Sequence, residues 1–490
     1  MVIYKAEMKK ILLSLFIPFV AFAQWQPDVR LTNDTATSFY GFSNSRSLVA
    51  YGSFVHTVWC DSRDGNWEIY YKRSSDDGIN WGQDIRLTVN QSISVKPSIV
   101  AINSTVHIVW TDSRNGNFEI YYKRSGDGGL TWGSDTRLTN NSTNSVEPSI
   151  SVSGSVLHMV WRDFRDGSES EIYYKRSTND GVTWQPDVRL TNNSALSANP
   201  SISVLGSFVH VTWWDYRNSP SGNAEIYYKR SSDGGLTWGQ DFRLTNDPSA
   251  SYTPCVMASN LYLHVVWVDN RTGPSGNFEI FYKRSTDFGL TWSQDTRLTN
   301  NSYYSDSPSL SASESFVHVA WWDTRDGNPE IYYKNSTDAG INWNQDSRLT
   351  NDSANSFYPS IFAVNSVLHV LWFDNRDEND EVYYKRNPTG NSIGIHIVGS
   401  EIPMWFSLYQ NYPNPFNPST KIKFALPTSS FTNLAIYDML GREIETLVHE
   451  QLNAGTYEVD WDGDKFSSGV YYFQITAGDF TETKKMILVK

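Results

Sequence analysis

Cysteine is almost missing from this chain: two in 490 residues, Cys60 and Cys255. That scarcity excludes a scaffold stapled by disulfides. The two residues also fall in repeat units, the first and the fifth, that would not be neighbours in a ring, so both are expected as buried free thiols. Positive charge is short as well. Lys and Arg number 40 against 53 Asp and Glu, a formal net charge of −13, and no basic stripe runs through any segment. The balance argues against nucleic acid as a partner and favours solubility. Long apolar runs are missing too, save one near the N-terminus. There Lys9 and Lys10 precede the run Ile11 to Phe22, and Ala21-Phe22-Ala23 stands before Gln24. The run is too short to span a bilayer and has the parts of a signal peptide cut between Ala23 and Gln24, with translation starting at Met1 or Met8. The chain is expected to be exported, losing residues 1–23.

Aromatic side chains are abundant at 14%, and their spacing organises the sequence. The frame His-x-x-Trp-x-Asp-x-Arg begins at His56, His107, His158, His210, His264, His318 and His369, successive copies lying 51 to 54 residues apart. A fixed period of that size marks one supersecondary unit per repeat, each burying the next. In the second unit Pro97-Ser-Ile-Val, Val106 to Asp112, Glu119 to Lys123 and Asp135 to Thr139 read as four short strands. Four antiparallel strands per unit make the blade of a propeller. The seventh unit stops after Tyr383-Tyr384-Lys385-Arg386 without a fourth strand, and the missing piece (Trp25, Asp28, Arg30, Leu31, Thr32) stands near the N-terminus. The expected fold is all-β: a seven-bladed β-propeller over residues 24–390, closed by an N-terminal strand that leaves no free sheet edge.

Between the third and fourth strands runs Ser-x-Asp-x-Gly-x-Thr-Trp, intact at Ser125 to Trp132, Ser231 to Trp238 and Ser285 to Trp292. Variants run from Ser74 to Trp81, Ser177 to Trp184 and Ser336 to Trp343. Each position has a physical task. Asp76, Asp127, Asn179, Asp233, Asp287 and Asp338 accept the turn's free N–H groups, the glycine takes positive φ, and the tryptophan fills a gap beside the blade. The motif resembles the Asp-box, or BNR repeat, of the sialidase-like propellers, over roughly residues 24 to 390. The resemblance implies a structural turn on the face away from any active site. It identifies fold rather than activity.

From about Ile395 the period disappears. After a linker at 391–407, the cluster Asn411-Tyr-Pro-Asn-Pro-Phe-Asn-Pro418 leads into alternating strands at Lys421 to Leu426, Asn433 to Asp438, Gly455 to Trp461, Gly469 to Thr476 and Thr481 to Val489. They read as a small immunoglobulin-like β-sandwich over 408–490. The proline cluster, Tyr437-Asp-Met-Leu-Gly-Arg442 and Ser468-Gly-Val-Tyr-Tyr472 are similar to the C-terminal sorting domain of the type IX secretion system. The resemblance implies a translocon partner, passage through the periplasm of a Gram-negative bacterium, and delivery to the outer surface or the medium.

For chemistry, one histidine per unit spreads seven of them around a ring, where they cannot converge on a metal. No metal or cofactor is expected, and the chain reads as a monomer. The repeated Asp-x-Arg pair and the glutamate opening the third strand read as one clasp bracing each second hairpin loop. Ligand contacts are sought where the units differ. Before the first-strand proline stand Lys96, Glu147, Asn199, Thr253, Ser307 and Tyr358, and Arg46 takes the proline's place in unit one, after a loop five residues longer (Thr32 to Arg46 against Thr88 to Pro97). Between the frame's Trp and Asp stand Arg162, Trp214, Trp322 and Phe373, and the second loops of units four and five, Asn218 to Ala224 and Thr272 to Phe278, are longer. These positions should share the face opposite the Asp-boxes. The candidate contacts are Arg46, Lys96, Glu147, Arg162, Asn199, Trp214, Trp322, Tyr358 and Phe373, and Glu147 is the off-pattern carboxylate at the mouth. Aromatic rings with polar neighbours suit sugars, so the expected function is binding of an extracellular ligand, a glycan. The alternative is an exo-glycosidase of the sialidase-like superfamily. Such enzymes hold a substrate carboxylate with three arginines from unequal positions, and the Phe/Tyr-Arg-Ile-Pro motif that supplies one of them is absent here.

Overall fold

The computed structural model describes residues 25–39, 46–167, 169–218, 223–259, 262–271, 277–313, 315–365, 367–388, 390, 396–397, 403–428, 430–452, 454–464 and 466–490. The signal segment with its Ala23–Gln24 cleavage site, and the tips of the long second loops at 219–222 and 272–276, lie outside them.

Each unit folds as an antiparallel sheet. Unit two runs Ser94–Ile102, Thr105–Asp112, Glu119–Ser125 and Thr136–Arg137, hydrogen-bonded in that order. Seven such sheets occur among the described residues. The innermost strand of each packs on that of the next, and Ser356–Val364 of unit seven returns to Leu48–Tyr51 of unit one, so the ring closes. The N-terminal strand Val29–Arg30 pairs with Glu381–Asn387, Val29 opposite Tyr384 and Arg30 opposite Tyr383, as the outer strand of the seventh sheet. The expected clasp is present.

Adjacent sheets are fastened by the repeated aromatics. The glycine of each Ser-x-Asp-x-Gly turn (hereafter the aspartate turn) has positive φ and touches a tyrosine of the preceding unit; a Cβ on Gly129 would lie 1.9 Å from Tyr71 Oη. The turn's tryptophan packs edge-on against the same ring, Trp132 on Tyr71 at 4.9 Å. That tyrosine hydroxyl in turn meets the frame histidine of its own unit, Tyr71 Oη standing 2.6 Å from His56 Nδ1. The third-strand lysine reaches back to a leucine carbonyl in the preceding sheet, as Lys123 does to Leu87. Around the closure the same contacts persist. Trp81 packs on Tyr384, Lys72 bonds the carbonyl of Leu31, and Trp25 packs on Tyr333 in place of the turn that unit seven lacks.

Three expectations are corrected. The innermost strand is nine residues long, with a bulge between Val95 and Ser98 in unit two, rather than starting at the proline. The fourth strand is only two residues, since Leu138 and Thr139 turn inward to bond Ile120. The single clasp proves to be two. Asp112 and Glu119 stand directly opposite each other across the strands, and each acid takes its own arginine: Arg114 bonds Asp112 and Asp135, while Arg137 bonds Glu119. Facing carboxylates repel unless each is neutralised separately.

The C-terminal region forms two four-stranded sheets around a core that includes Phe424, Ile436, Trp461, Phe473 and Met486. Glu443–Leu452 is a strand that the sequence reading lacked. Part of the expected linker belongs to this fold as well: His396–Ile397 pairs with Tyr457–Glu458.

Candidate ligand face and channel

Strand direction sorts the loops onto two ends. The aspartate turn lies beside the hairpin joining the first and second strands, Asp77 N–H bonding Ser53 O and Gly128 N–H bonding Ser104 O. The second loop and the entry to each innermost strand lie at the opposite end. Within its own turn the aspartate works locally: Asp287 accepts the N–H groups of Leu290 and Thr291 and the Thr291 hydroxyl, at 3.0, 2.8 and 2.6 Å. These bonds hold its carboxyl at about 2, against the opposing effect of its partial burial.

At the opposite end the variable residues share one conformation. Lys96, Glu147, Asn199, Thr253, Ser307 and Tyr358 all have φ between 47° and 58°. Each occupies the bulge, where the left-handed conformation costs of order 1 kcal/mol. Unit one breaks at the same place. Ser38–Phe39 and Leu48–Tyr51 pair separately with Phe54–Asp61.

The mouth divides into a charged arc and an aromatic arc. Lys96 Nζ lies 3.0 Å from Glu147, and Arg162 lies 3.7 Å from the same carboxylate and stacks over Phe164. Glu147 is therefore buried and paired. Across units four and five, half-buried Trp214 bonds Asn199 at 2.6 Å and meets the rings of Tyr216 and Tyr252 edge-on. Trp322 packs on Phe357, and Tyr358 on Phe39. Phe39, Phe357, Tyr358, Phe373, Asn375 and Asp380 line an open pocket of about 310 Å³. Phe373 is buried there, 2% exposed, and serves as wall more than as surface.

Two features escaped the sequence reading. Asp306 sits where other units carry Val95, Val146, Ala198, Tyr252 and Phe357. Its carboxylate accepts the Ser307 N–H, and burial pushes its pKa up. The same burial raises that of Tyr358, to which Asp306 adds its charge. The second feature is the reach of Arg46, whose Nη2 lies 2.7 Å from Met257 Sδ in unit five, across the ring. Cys60 and Cys255 are buried free thiols, as expected.

The frame histidines are hydrogen-bonded core. Burial holds His56, His107 and His158 at about 4, and His210, His264 and His369 at about 3. Among the described residues no cluster of His, Cys, Asp or Glu could hold a metal ion.

These features define a closed propeller with repeated aspartate turns on one face and a varied mouth on the other, followed by a separate β-sandwich. The comparisons agree. Residues 23–265 match the family of BNR repeat-like domains, and residues 410–490 match the secretion system C-terminal sorting domain. The chain thus carries a BNR repeat-like domain and a sorting domain of the type IX secretion system, which marks it for export to the cell surface or the medium. Among solved structures it is similar in fold to the Trypanosoma rangeli sialidase (13% identity, 82% of this chain and 85% of that one, TM-score 0.43). It is similar also to the phage phi92 endosialidase (10%, 94% and 87%, 0.46) and to the α-L-arabinofuranosidase Arb93A of Fusarium graminearum (14%, 59% and 91%, 0.43). No curated protein sequence gives a significant match.

Proposed function

We propose that the exported propeller binds an extracellular glycan at the mouth opposite its aspartate turns. One observation carries the reading: the frame, the third strand and the turn recur from unit to unit, while the residues at this mouth differ, and there half-buried aromatics stand beside amide, hydroxyl and charged groups. Trp214 with Asn199, Tyr216 and Tyr252 offers an indole edge and polar anchors to a sugar ring. Lys96 and Arg162, both paired with Glu147, add charged groups on the same face. A glycan array probed with the mature chain tests this. Trp214→Ala and Tyr358→Ala are expected to weaken the captured ligand by about 1–3 kcal/mol each while the fold persists. Binding untouched by both variants would contradict the reading.

The exo-glycosidase alternative gains one observation, Asp306 beside Tyr358 at the mouth. Against it, the frame arginines are already committed: Arg63, Arg114, Arg165, Arg217, Arg271, Arg325 and Arg376 each bond the frame aspartate and the aspartate just before an outer strand. Turnover of a sialoside that disappears in Arg114→Ala with melting unchanged would establish the enzyme instead.

A further inference from the structure

Four rings and one carboxylate converge on the seam between units seven and one, and all five come from positions that vary between units. Just before the third-strand glutamate the other units carry Trp67, Phe118, Ser170, Ala224, Phe278 and Pro329, all uncharged, whereas unit seven carries Asp380. Phe357 stands two residues before its proline, where units two to four have Val95, Val146 and Ala198. Phe39 is its counterpart in unit one: Phe39 pairs with Cys60 as Phe357 pairs with Phe373. Tyr358 follows in the left-handed bulge, and Phe373 lies between the frame's Trp and Asp.

The backbone draws these groups together. The Asp380 carbonyl accepts the Ser38 N–H at 2.8 Å, which ties unit seven to the strand that carries Phe39. Phe39 lies 5.0 Å from Phe373 and 5.9 Å from Tyr358, and Phe357 lies 5.9 Å from Tyr358, ring centre to ring centre. Their planes meet at 31°, 82° and 33°, so the rings form a bent wall rather than a flat stack. The open pocket of about 310 Å³ that they line is at the small end of ligand sites.

The chemistry of this lining favours a cation. Aromatic faces carry negative charge density and attract an ammonium centre, most strongly where water is thinned out. The carboxylate adds a full charge of the same sign. Burial and the neighbouring Asp374 raise its pKa, so its charged form gains from a positive partner. Asp306 extends the negative field, its charge reaching Tyr358. An uncharged apolar ligand would leave that carboxylate further desolvated with nothing to offset the cost.

We propose that this pocket binds a cationic ammonium group, with the Asp380 carboxylate as counter-ion and the rings of Phe39, Phe357 and Tyr358 as its cage. The cation arrives either as the free amine of an amino sugar in a glycan held at the mouth, which rests on the function proposed above, or as a small alkylammonium compound, which does not.

The test uses the mature full-length chain, with choline chloride and the glucosamine trimer as probes. Sodium chloride at matched ionic strength and the N-acetylated trimer are the controls. Calorimetric titration should show binding of choline or the glucosamine trimer that falls at least tenfold in Asp380→Asn and several-fold in Phe357→Leu. Asp380→Asn keeps the side-chain shape and the carbonyl that bonds Ser38, so melting should be preserved. Trimer binding that needs Asp380 and is lost on N-acetylation assigns the amino-sugar source. Choline binding that needs Asp380, with the trimer inert, assigns the small-cation source and holds even if the glycan array is blank. Three results overturn the proposal: binding unchanged in Asp380→Asn, no binding of either probe, or equal binding of both trimers with choline inert. Should Asp380→Asn fail to fold, Phe357→Leu decides: binding weakened several-fold supports the cage, and unchanged binding refutes it.

Discussion

At the scale of single residues, stability rests on positions that tolerate no change. Gly289 combines φ +82° with a virtual Cβ 2.0 Å from Tyr228 Oη. Gly289→Ala is therefore expected to destabilise by about 2 kcal/mol or more, combining left-handed strain with displacement of a buried tyrosine. Thermal or denaturant unfolding measures it. The histidines set the response to acid. Six are held neutral, at about 3 to 4 in the folded chain, against about 6.5 when unfolded. Between those values the unfolded chain binds more protons, so stability rises with pH through that window and is lost as pH falls from about 6.5 toward 4. The denaturant midpoint should drop steeply from pH 7 to pH 5. His264→Gln should flatten that slope, and an unchanged slope would contradict the neutral buried imidazole. Asp287 acts lower: its depressed pKa contributes stability above about pH 4 that disappears as pH falls through 2.

At the scale of strands and turns, ring closure depends on a short segment far away in sequence. Removing residues 25–32 takes away Val29–Arg30, the Trp25 contact with Tyr333 and the Leu31 carbonyl that Lys72 bonds. The truncated chain should melt well below the parent, because an open seventh sheet exposes its edge and one apolar face. Melting at the parent temperature would contradict the clasp. The C-terminal sandwich has its own core. Deleting 408–490 should leave the propeller folded but retained in the periplasm of a host with type IX machinery, as fractionation would show, whereas its normal appearance outside the cell would contradict the sorting role.

This is also the scale at which the sequence was most legible. The His-x-x-Trp-x-Asp-x-Arg frame carried the second strand, the aspartate turn carried the third hairpin, and the split motif carried ring closure, because each task recurs with the same residue types. Legibility fell where a task occurs once. Lys96 through Tyr358 stood out as variable, but no residue preference revealed that they adopt left-handed φ, since six different side chains do so. Asp306 replaces residues as unlike as Val95 and Phe357, and was overlooked beside the proline that follows. Arg46 was visible as an intruder at a proline position, yet its partner Met257 lies 211 residues away on the far side of the channel. Glu443–Leu452 escaped because a charged, irregular pattern with two register shifts lacks the alternation of a plain strand.

At the scale of the whole molecule, the propeller is a closed ring in which constant residues hold blades together and varied residues gather at one mouth. The sorting domain delivers that mouth outside the cell. The account stands or falls on which face carries ligand. Binding of the glycan selected on the array should be measured by calorimetry for the parent, Trp214→Ala and Asp233→Ala. The account predicts a loss of roughly ten-fold or more for Trp214→Ala with melting preserved, and unchanged affinity for Asp233→Ala with lowered melting. Affinity lost in Asp233→Ala and kept in Trp214→Ala would place the ligand on the wrong face and contradict it.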